Sequence, residues 1–303
     1  MILYTNDNGK LKAIPEVPFK LEKNLQKLFE NNLSELLGLT LVKSEFTIKN
    51  KRFDSLAFDE DNKSFVIIEY KRDKSSSVVD QGFAYLHMML ENKAEFVLEI
   101  NEECHRNFKR DDISWDQTKV IFVASSFNDN QKISTKFKDI AIELLEVKQF
   151  KDGHIMVNSL KDDSSQVSVK TIAKNDKMYE RVTREIKVYT EEDHITYASD
   201  KIKELYEDFK TAIFNINSGI KIEPKKLYIA FKYTTNICDV EIQKNKLKIY
   251  LNAKYGTIDD PKKLFQDLRN KGHWGNGEYR TEINDDTNIG YIMDLIKQVI
   301  QKQ

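Results

Sequence analysis

Asp54, Glu69 and Lys71 are the residues whose types and spacing could support a reaction. Glu69-Tyr70-Lys71 closes an apolar run, and the period of 2 in an extended strand sets Glu69 and Lys71 on one face. Asp54 lies in the preceding strand candidate, across the short acidic turn Asp59-Glu60-Asp61-Asn62-Lys63. Antiparallel pairing of the two segments brings Asp54 near Glu69. Two carboxylates and a backbone carbonyl, that of Tyr70, form an oxygen site suited to Mg²⁺ or Mn²⁺, which keeps several waters and takes one or two carboxylates plus substrate phosphate. Lys71 beside them is placed to orient or deprotonate an attacking water, or to neutralise charge growing on phosphorus. The chemistry such a set serves is hydrolysis of a phosphodiester bond.

Glu-x-Lys by itself carries no signal. It occurs five times, at Glu69, Glu91, Glu146, Glu185 and Glu223, and only the first copy has the strand context. Taken singly, Asp54, Glu69 and Lys71 are also explained by a solvated strand end with an ordinary ion pair. Gln81 and Tyr85, spaced i and i+4, share one face of the helix expected after the motif strand. Their polar ends are placed to reach the substrate backbone or a metal's waters, although a helix face with a half-buried Tyr explains them as well. Glu22, within one turn of the apolar stripe of the first helix, is an optional further carboxylate, and an exposed acid at a helix start is stabilised by the dipole anyway.

These groups need elements to position them. Leu21, Leu25, Leu28, Phe29, Leu33, Leu36 and Leu37 recur at helical spacing, and Gly38 stops the pattern. Strands are expected at Leu39–Ile48, Arg52–Phe58 and Ser64–Lys71, a helix at Gln81–Asn92, then strands at Glu95–Ile100 and Lys119–Ala124. A short helix at Gln131–Lys138 and a hairpin about Lys151-Asp152-Gly153 close the region. Three strands, a helix and further strands read as an α/β mixed sheet flanked by helices. The composition shifts near Lys161-Asp162-Asp163-Ser164-Ser165-Gln166. The expected organisation is therefore a first domain at 1–160, a connection at 161–184, and a smaller α+β domain at 185–303. In the latter, Thr190 and Asp193 resemble a capping box, Ile202, Leu205, Phe209 and Ile213 mark a helix, and strands are expected at Lys226–Phe231, Cys238–Ile242 and Leu247–Leu251. A helix is expected near Pro261 and another at Ile289–Ile300.

Glu22, Asp54, Glu69-Tyr70-Lys71 and Gln81-Gly82-Phe83-Ala84-Tyr85, in that order on helix, strand, strand and helix, resemble the PD-(D/E)xK nuclease superfamily. The Gln-x-x-x-Tyr element is similar to that of its RecB-like branch, and the Arg-Phe-Asp and Glu-Tyr-Lys spacing resembles small endonucleases acting on mismatched or branched DNA. The resemblance covers roughly residues 16–125, with Phe53 where the superfamily's name has Pro. It implies a restriction-endonuclease-like fold, divalent-metal dependence, Asp54 and Glu69 as metal ligands and Lys71 as the catalytic lysine. In the second half, Lys225-Lys226-Leu227-Tyr228, Leu247-Lys248-Ile249-Tyr250-Leu251 and Gly272-His273-Trp274-Gly275 resemble a bacterial domain of unknown function described as a predicted transport protein. That label fits poorly with the absence of any apolar run approaching ~18 residues.

Charge and composition bound the remaining choices. The 303 residues hold 48 Lys+Arg against 49 Asp+Glu, a net charge of −1, which excludes a globally basic binder but not a local basic groove. Residues 1–158 hold 23 Lys+Arg and 26 Asp+Glu, so 23 − 26 = −3, and a nuclease there needs its basic groups focused locally. Cys104 and Cys238 have no zinc-ligand spacing around them, and reduced cytosolic thiols are the default. No secretory leader is visible at the start, so a soluble cytoplasmic protein with no membrane partner is expected. No P-loop run exists.

Arg72 and Lys74 are candidate phosphate contacts that a solvated loop explains equally well. Segment 221–254 holds eight Lys and three acids, and 8 − 3 = +5. Lys232, Lys248 and Tyr250 in it make a candidate nucleic-acid face, while the strand spacing of its aromatics favours core. The loop at His273-Trp274-Gly275-Asn276-Gly277 reads as a turn over a packed Trp more readily than as a functional loop. The expected function is divalent-metal-dependent hydrolysis of DNA, RNA remaining open, with a C-terminal domain that binds substrate or partner. The alternatives are a non-catalytic module binding nucleic acid or protein on a nuclease-like fold, and a pure protein-interaction pair. A homodimer suits a double-strand cutter, although nothing in the sequence demands one.

Overall fold

In the computed structural model, residues 2–71, 77–160, 167–170, 176–269 and 276–302 are described. The chain divides into one unit of Met1–Ser34 with Leu39–Val188 and another of Glu35–Gly38 with Tyr189–Gln303.

The first unit opens with a hairpin, β1 (Leu3–Asp7) and β2 (Lys10–Ile14), and a short β3 (Glu16–Val17). Helices α1 (Glu22–Asn31) and α2 (Leu33–Leu37) follow, Glu35–Leu37 of the latter being counted with the other unit. They divide the long apolar stripe at Asn32, and Gly38 ends it in the left-handed region. Then come β4 (Thr40–Ile48), β5 (Lys51–Asp59), β6 (Ser64–Lys71), α3 (Val78–Glu91), α4 (Lys93–Glu103), β7 (Lys119–Ala124), β8 (Ile142–Phe150), β9 (Ile155–Ser159) and α5 (Lys177–Glu185). The sheet runs β3-β8-β7-β6-β5-β4 with β9 on β8. β4, β5 and β6 pair antiparallel, whereas β6, β7 and β8 are parallel neighbours, so the sheet is mixed and helices flank it.

β6 sits inside this sheet and is buried on both faces, which is why its sequence is a solid apolar block and not an alternation. On one face Tyr70 meets Phe29 of α1 edge to face at 5.9 Å. On the other, Phe65 meets Phe96 of α4 at 5.5 Å. Gly82 lets α3 approach closely, because a Cβ there would stand 2.4 Å from Ile142 Cδ1.

Three expectations for the first unit need correction. Glu95–Ile100 belongs to α4 and is not a strand: its buried residues Phe96, Val97 and Ile100 follow helical spacing, and Leu98 between them is exposed. The turn at Gln131–Lys136 is a 3₁₀ segment and not a longer helix. Residues 177–185, read above as part of the connection, form α5, and its Tyr179 and Val182 are buried in the core of the first unit.

The second unit contains α6 (Glu191–Ile195), α7 (Asp200–Ile216), β10 (Lys221–Pro224), β11 (Ile229–Lys232), β12 (Asn236–Gln243), β13 (Lys246–Leu251), β14 (Gln266–Asp267), β15 (Tyr279–Ile283) and α8 (Ile289–Gln301). Its antiparallel sheet runs β10-β11-β12-β13-β15-β14, and α7 and α8 cover one face, with Phe209 on Phe231 at 5.8 Å. Thr190 and Asp193 form a reciprocal capping box before α6. No helix starts near Pro261. The Asp260 carboxylate accepts from Leu264 N, Phe265 N and the Tyr291 hydroxyl, a local capture of backbone donors that competes with helix. Among the described residues no helix is long and apolar enough to cross a membrane.

Candidate active site

The pairing of β5 with β6 runs from Asp59↔Ser64 to Ser55↔Ile68 and stops there. Asp54 is the first residue past the ladder, and its carboxylate replaces the missing rung: Asp54 Oδ2 accepts from Tyr70 N at 3.0 Å. Glu69 follows on β6 and is buried, with 8% of its surface exposed. Three donors converge on it. Lys71 Nζ stands 3.1 Å and Gln81 Nε2 2.9 Å from Glu69 Oε1, and the Tyr85 hydroxyl donates to Oε2 at 3.1 Å. Gln81 Nε2 also donates to the Tyr85 oxygen at 2.6 Å.

The sequence pattern dictates each position. Period 2 sets Glu69 and Lys71 on the α3 side of β6, and helical i, i+4 spacing stacks Gln81 and Tyr85 on the facing side of α3. Ser77 caps that helix through Asp80 N, and Phe53 packs edge to face on the Tyr85 ring at 4.8 Å.

Charge in this cluster is unbalanced. Burial raises the Asp54 carboxyl above its ordinary value, the Glu69 carboxylate raises it further, and the Tyr70 amide, Lys71 and Arg52 offset this only in part. The Tyr85 hydroxyl is also pushed up, by burial and then by Glu69. Two carboxylates thus share one close lysine. Gln81 Oε1 is buried without a hydrogen-bond partner, an acceptor suited to a donor the protein does not supply, such as water. The donor set fits a hard divalent cation: two carboxylates, with Asp54 Oδ1 left over once Oδ2 holds Tyr70 N. Among the described residues no group of three or more His, Cys, Asp or Glu forms a ready metal cage.

Of the residues read from the sequence, Asp54, Glu69, Lys71, Gln81 and Tyr85 come together. Tyr70 contributes its backbone here, while its ring turns to the α1 face and is 1% exposed. Glu22 is exposed at the start of α1 and is not joined to Asp54 and Glu69 in a three-carboxylate group. Arg72 and Lys74 lie outside the described residues. In the second unit, Lys232 pairs with Glu223 at 2.7 Å and Lys248 with Glu241 at 3.1 Å. Tyr250 is 1% exposed, has its hydroxyl on Glu241 and offers no ring face to a base, which corrects its reading as a stacking residue. The loop at 273–275 is likewise outside the described residues.

One group escaped the sequence reading altogether. On the α1 face of the same strands, the buried Gln26 amide donates to the Asp54 carbonyl oxygen at 2.9 Å and to Glu30 Oε1 at 2.9 Å. Ser55 Oγ donates to the same Glu30 oxygen at 2.6 Å. Gln26 therefore fixes the main chain of Asp54 from behind. Its place beside Leu25 and Phe29 on the buried stripe of α1 was the available signal, since a polar residue there needs a partner.

An α/β unit with a mixed sheet and a separate antiparallel α+β unit define this class of chain. The second unit matches the domain of unknown function DUF5655 over residues 191–299. An uncharacterized protein of Haemophilus influenzae is 48% identical over 301 residues, spanning 99% of this chain and 100% of its own length, and the chain belongs to the family of that protein. Two solved structures share limited similarity. A repair endonuclease from Pyrococcus abyssi is 21% identical over 39% of this chain and 44% of its own, with a TM-score of 0.23. SfsA of Pyrococcus furiosus, in complex with Ca²⁺, is 18% identical over 52% of this chain and 68% of its own, with a TM-score of 0.25.

Proposed function

We propose that the chain is a divalent-metal-dependent nuclease that hydrolyses phosphodiester bonds in DNA. The observation that carries this reading is the convergence of Lys71, Gln81 and Tyr85 on Glu69 beside a second, destabilised carboxylate, Asp54. Asp54, Glu69 and the Tyr70 carbonyl would hold Mg²⁺ or Mn²⁺, which when bound supplies Lewis-acid polarisation of the phosphate and a more acidic water. Lys71 holds its ammonium where charge grows on the phosphate oxygens, and Glu69 fixes its position. Gln81 and Tyr85 lock the Glu69 carboxylate in one rotamer, so that little reorganisation is needed as charge develops. Gln81 Oε1 is left to orient a water. The non-catalytic alternative leans on Lys248 and Tyr250, and the polar ends of both are engaged by Glu241.

The test is incubation of the full chain with supercoiled plasmid, single-stranded DNA and RNA, each with Mn²⁺, Mg²⁺ or chelator, alongside Glu69→Ala and Lys71→Ala. Cutting of DNA that needs metal and disappears in both variants supports the reading. Metal-independent cutting, or cutting that both variants retain, removes it.

A further inference from the structure

The turn between β4 and β5 carries three cations in four positions, Lys49, Lys51 and Arg52 around Asn50. All three are exposed, and among the described residues none of their side chains has a hydrogen-bond or ion-pair partner. Nearby lysines are neutralised: Lys23 of α1 faces Glu45 at 3.6 Å, Lys43 meets Glu99 and Glu103, and Lys71 meets Glu69. The turn is also held in shape. Ile48↔Lys51 and Thr47↔Arg52 are ladder pairs, so only Lys49 and Asn50 lie outside the strands. Lys49 occupies the left-handed region at φ 51°, where glycine or Asn is the easier choice. Three like charges this close repel, and burial does not offset that repulsion; only Arg52 has an acid within electrostatic reach, Asp54. A polyanion would offset all three.

Their place in the chain points the same way. Arg52 stands two residues before Asp54 on β5, and its charge reaches that carboxylate. The first unit, residues 1–34 and 39–188, holds 30 Lys+Arg against 30 Asp+Glu, so 30 − 30 = 0, and with no net attraction for a polyanion any attraction has to be local.

We propose that the β4–β5 turn is a phosphate clamp, with Lys49, Lys51 and Arg52 gripping the backbone of a DNA strand that runs on to Asp54 and Glu69. The destination of the strand rests on the nuclease reading, while the grip on DNA does not. Contacts of this kind are to phosphates, so they give affinity and register without reading sequence.

The experiment is fluorescence anisotropy of a labelled DNA duplex and its single strand with the full chain in chelator, over a salt titration. Each lost phosphate contact lowers the slope of log K against log salt by about 0.9 on duplex and about 0.7 on single strand. Lys49→Gln/Lys51→Gln/Arg52→Gln is expected to lower the slope by about 2 to 3 units, and Arg52→Gln alone by about 1. A control with the same charge change on exposed lysines elsewhere, Lys12→Gln/Lys63→Gln/Lys151→Gln, is expected to keep the wild-type slope. A wild-type slope in the turn variant, an equal drop in the control, or no binding of DNA by the wild type would each overturn the clamp. A cleavage assay in Mn²⁺ separates the two claims. If the turn variant loses slope but the wild type never cuts, the clamp stands and the nuclease reading falls. If the wild type cuts and the turn variant keeps its slope, the clamp falls alone.

Discussion

The two units each hold a Glu, a Lys, a Tyr and a Gln in one hydrogen-bonded group, and their difference lies in charge. In the first unit Glu69 takes Lys71, Tyr85 and Gln81. In the second, Glu241 takes Lys248 at 3.1 Å, Tyr250 at 3.1 Å and Gln243 at 2.5 Å. The distances are nearly the same. Around Glu69, however, the additional charged neighbour is Asp54, an acid whose carboxyl is forced upward. In the second cluster it is Arg280, whose charge and hydrogen bond lower the Tyr250 hydroxyl, although burial and Glu241 still leave it raised to about 12. One cluster is short of positive charge and the other is compensated from within. Hydrogen-bonded composition does not separate the two clusters; the uncompensated carboxylate pair does, and the nuclease reading proposed above rests on it.

The largest expected effect breaks the likeness outright. Glu69→Gln is expected to lower metal-dependent cleavage by more than ~10²-fold, beyond what loss of a group behind a metal ligand usually costs, while Glu241→Gln leaves initial rates unchanged. Next, Mn²⁺ at a hundredfold its Kd is expected to stabilise the wild type by about 2.7 kcal/mol. Calorimetric scans should register this as a rise in Tm of about 5 °C or more. Glu241→Gln should keep that rise and Asp54→Asn should lose it. An equal rise in both variants would mean that the metal binds elsewhere.

Gln26→Leu keeps the volume at a buried position but releases the Asp54 carbonyl. It is expected to weaken Mn²⁺ binding about 10-fold, measured by calorimetric titration, and to lower kcat more than it changes KM. The smallest effect is on the metal-free fold. The Asp54 carboxyl binds its proton more readily folded than unfolded, so its stabilising contribution is complete below its unfolded pKa and is lost as pH climbs through the raised folded value. Metal-free Asp54→Asn, which can still accept from Tyr70 N, should therefore melt above wild type at neutral pH, by on the order of 2 °C. The gap should close as pH falls through the carboxylate range. A gap that widens on acidification would contradict the sign of the Asp54 shift.

The acid pair, Lys71 and the Gln-x-x-x-Tyr helix were legible because each depends on local periodicity: a strand ending in Glu-x-Lys, and polar groups one helical turn apart. Glu95–Ile100 was misread because a short apolar run fits a strand or a helix equally, and only the burial of Phe96, Val97 and Ile100 with Leu98 exposed separates them. Gln26 was missed for another reason. A polar residue on the buried stripe of α1 signals that it needs a partner but not which one, and its partner here is a backbone carbonyl in another element. For Tyr250 the sequence left base stacking open beside the favoured core reading, because strand alternation gives the face of a side chain but not what covers it.

Helix α5 has a practical consequence for dividing the chain. Its Tyr179 ring stacks on Phe83 at 3.9 Å and its hydroxyl donates to Asp80, while Arg181 meets Glu91 at 3.1 Å. Both ends of the helix that carries Gln81 and Tyr85 are thus strapped down by residues that follow the last strand of the sheet. A fragment cut at residue 160 would bare the Phe83 ring to water and behave as an aggregation-prone piece. A fragment cut after Val188 keeps the strap, and limited proteolysis should leave the larger piece as the protease-resistant one.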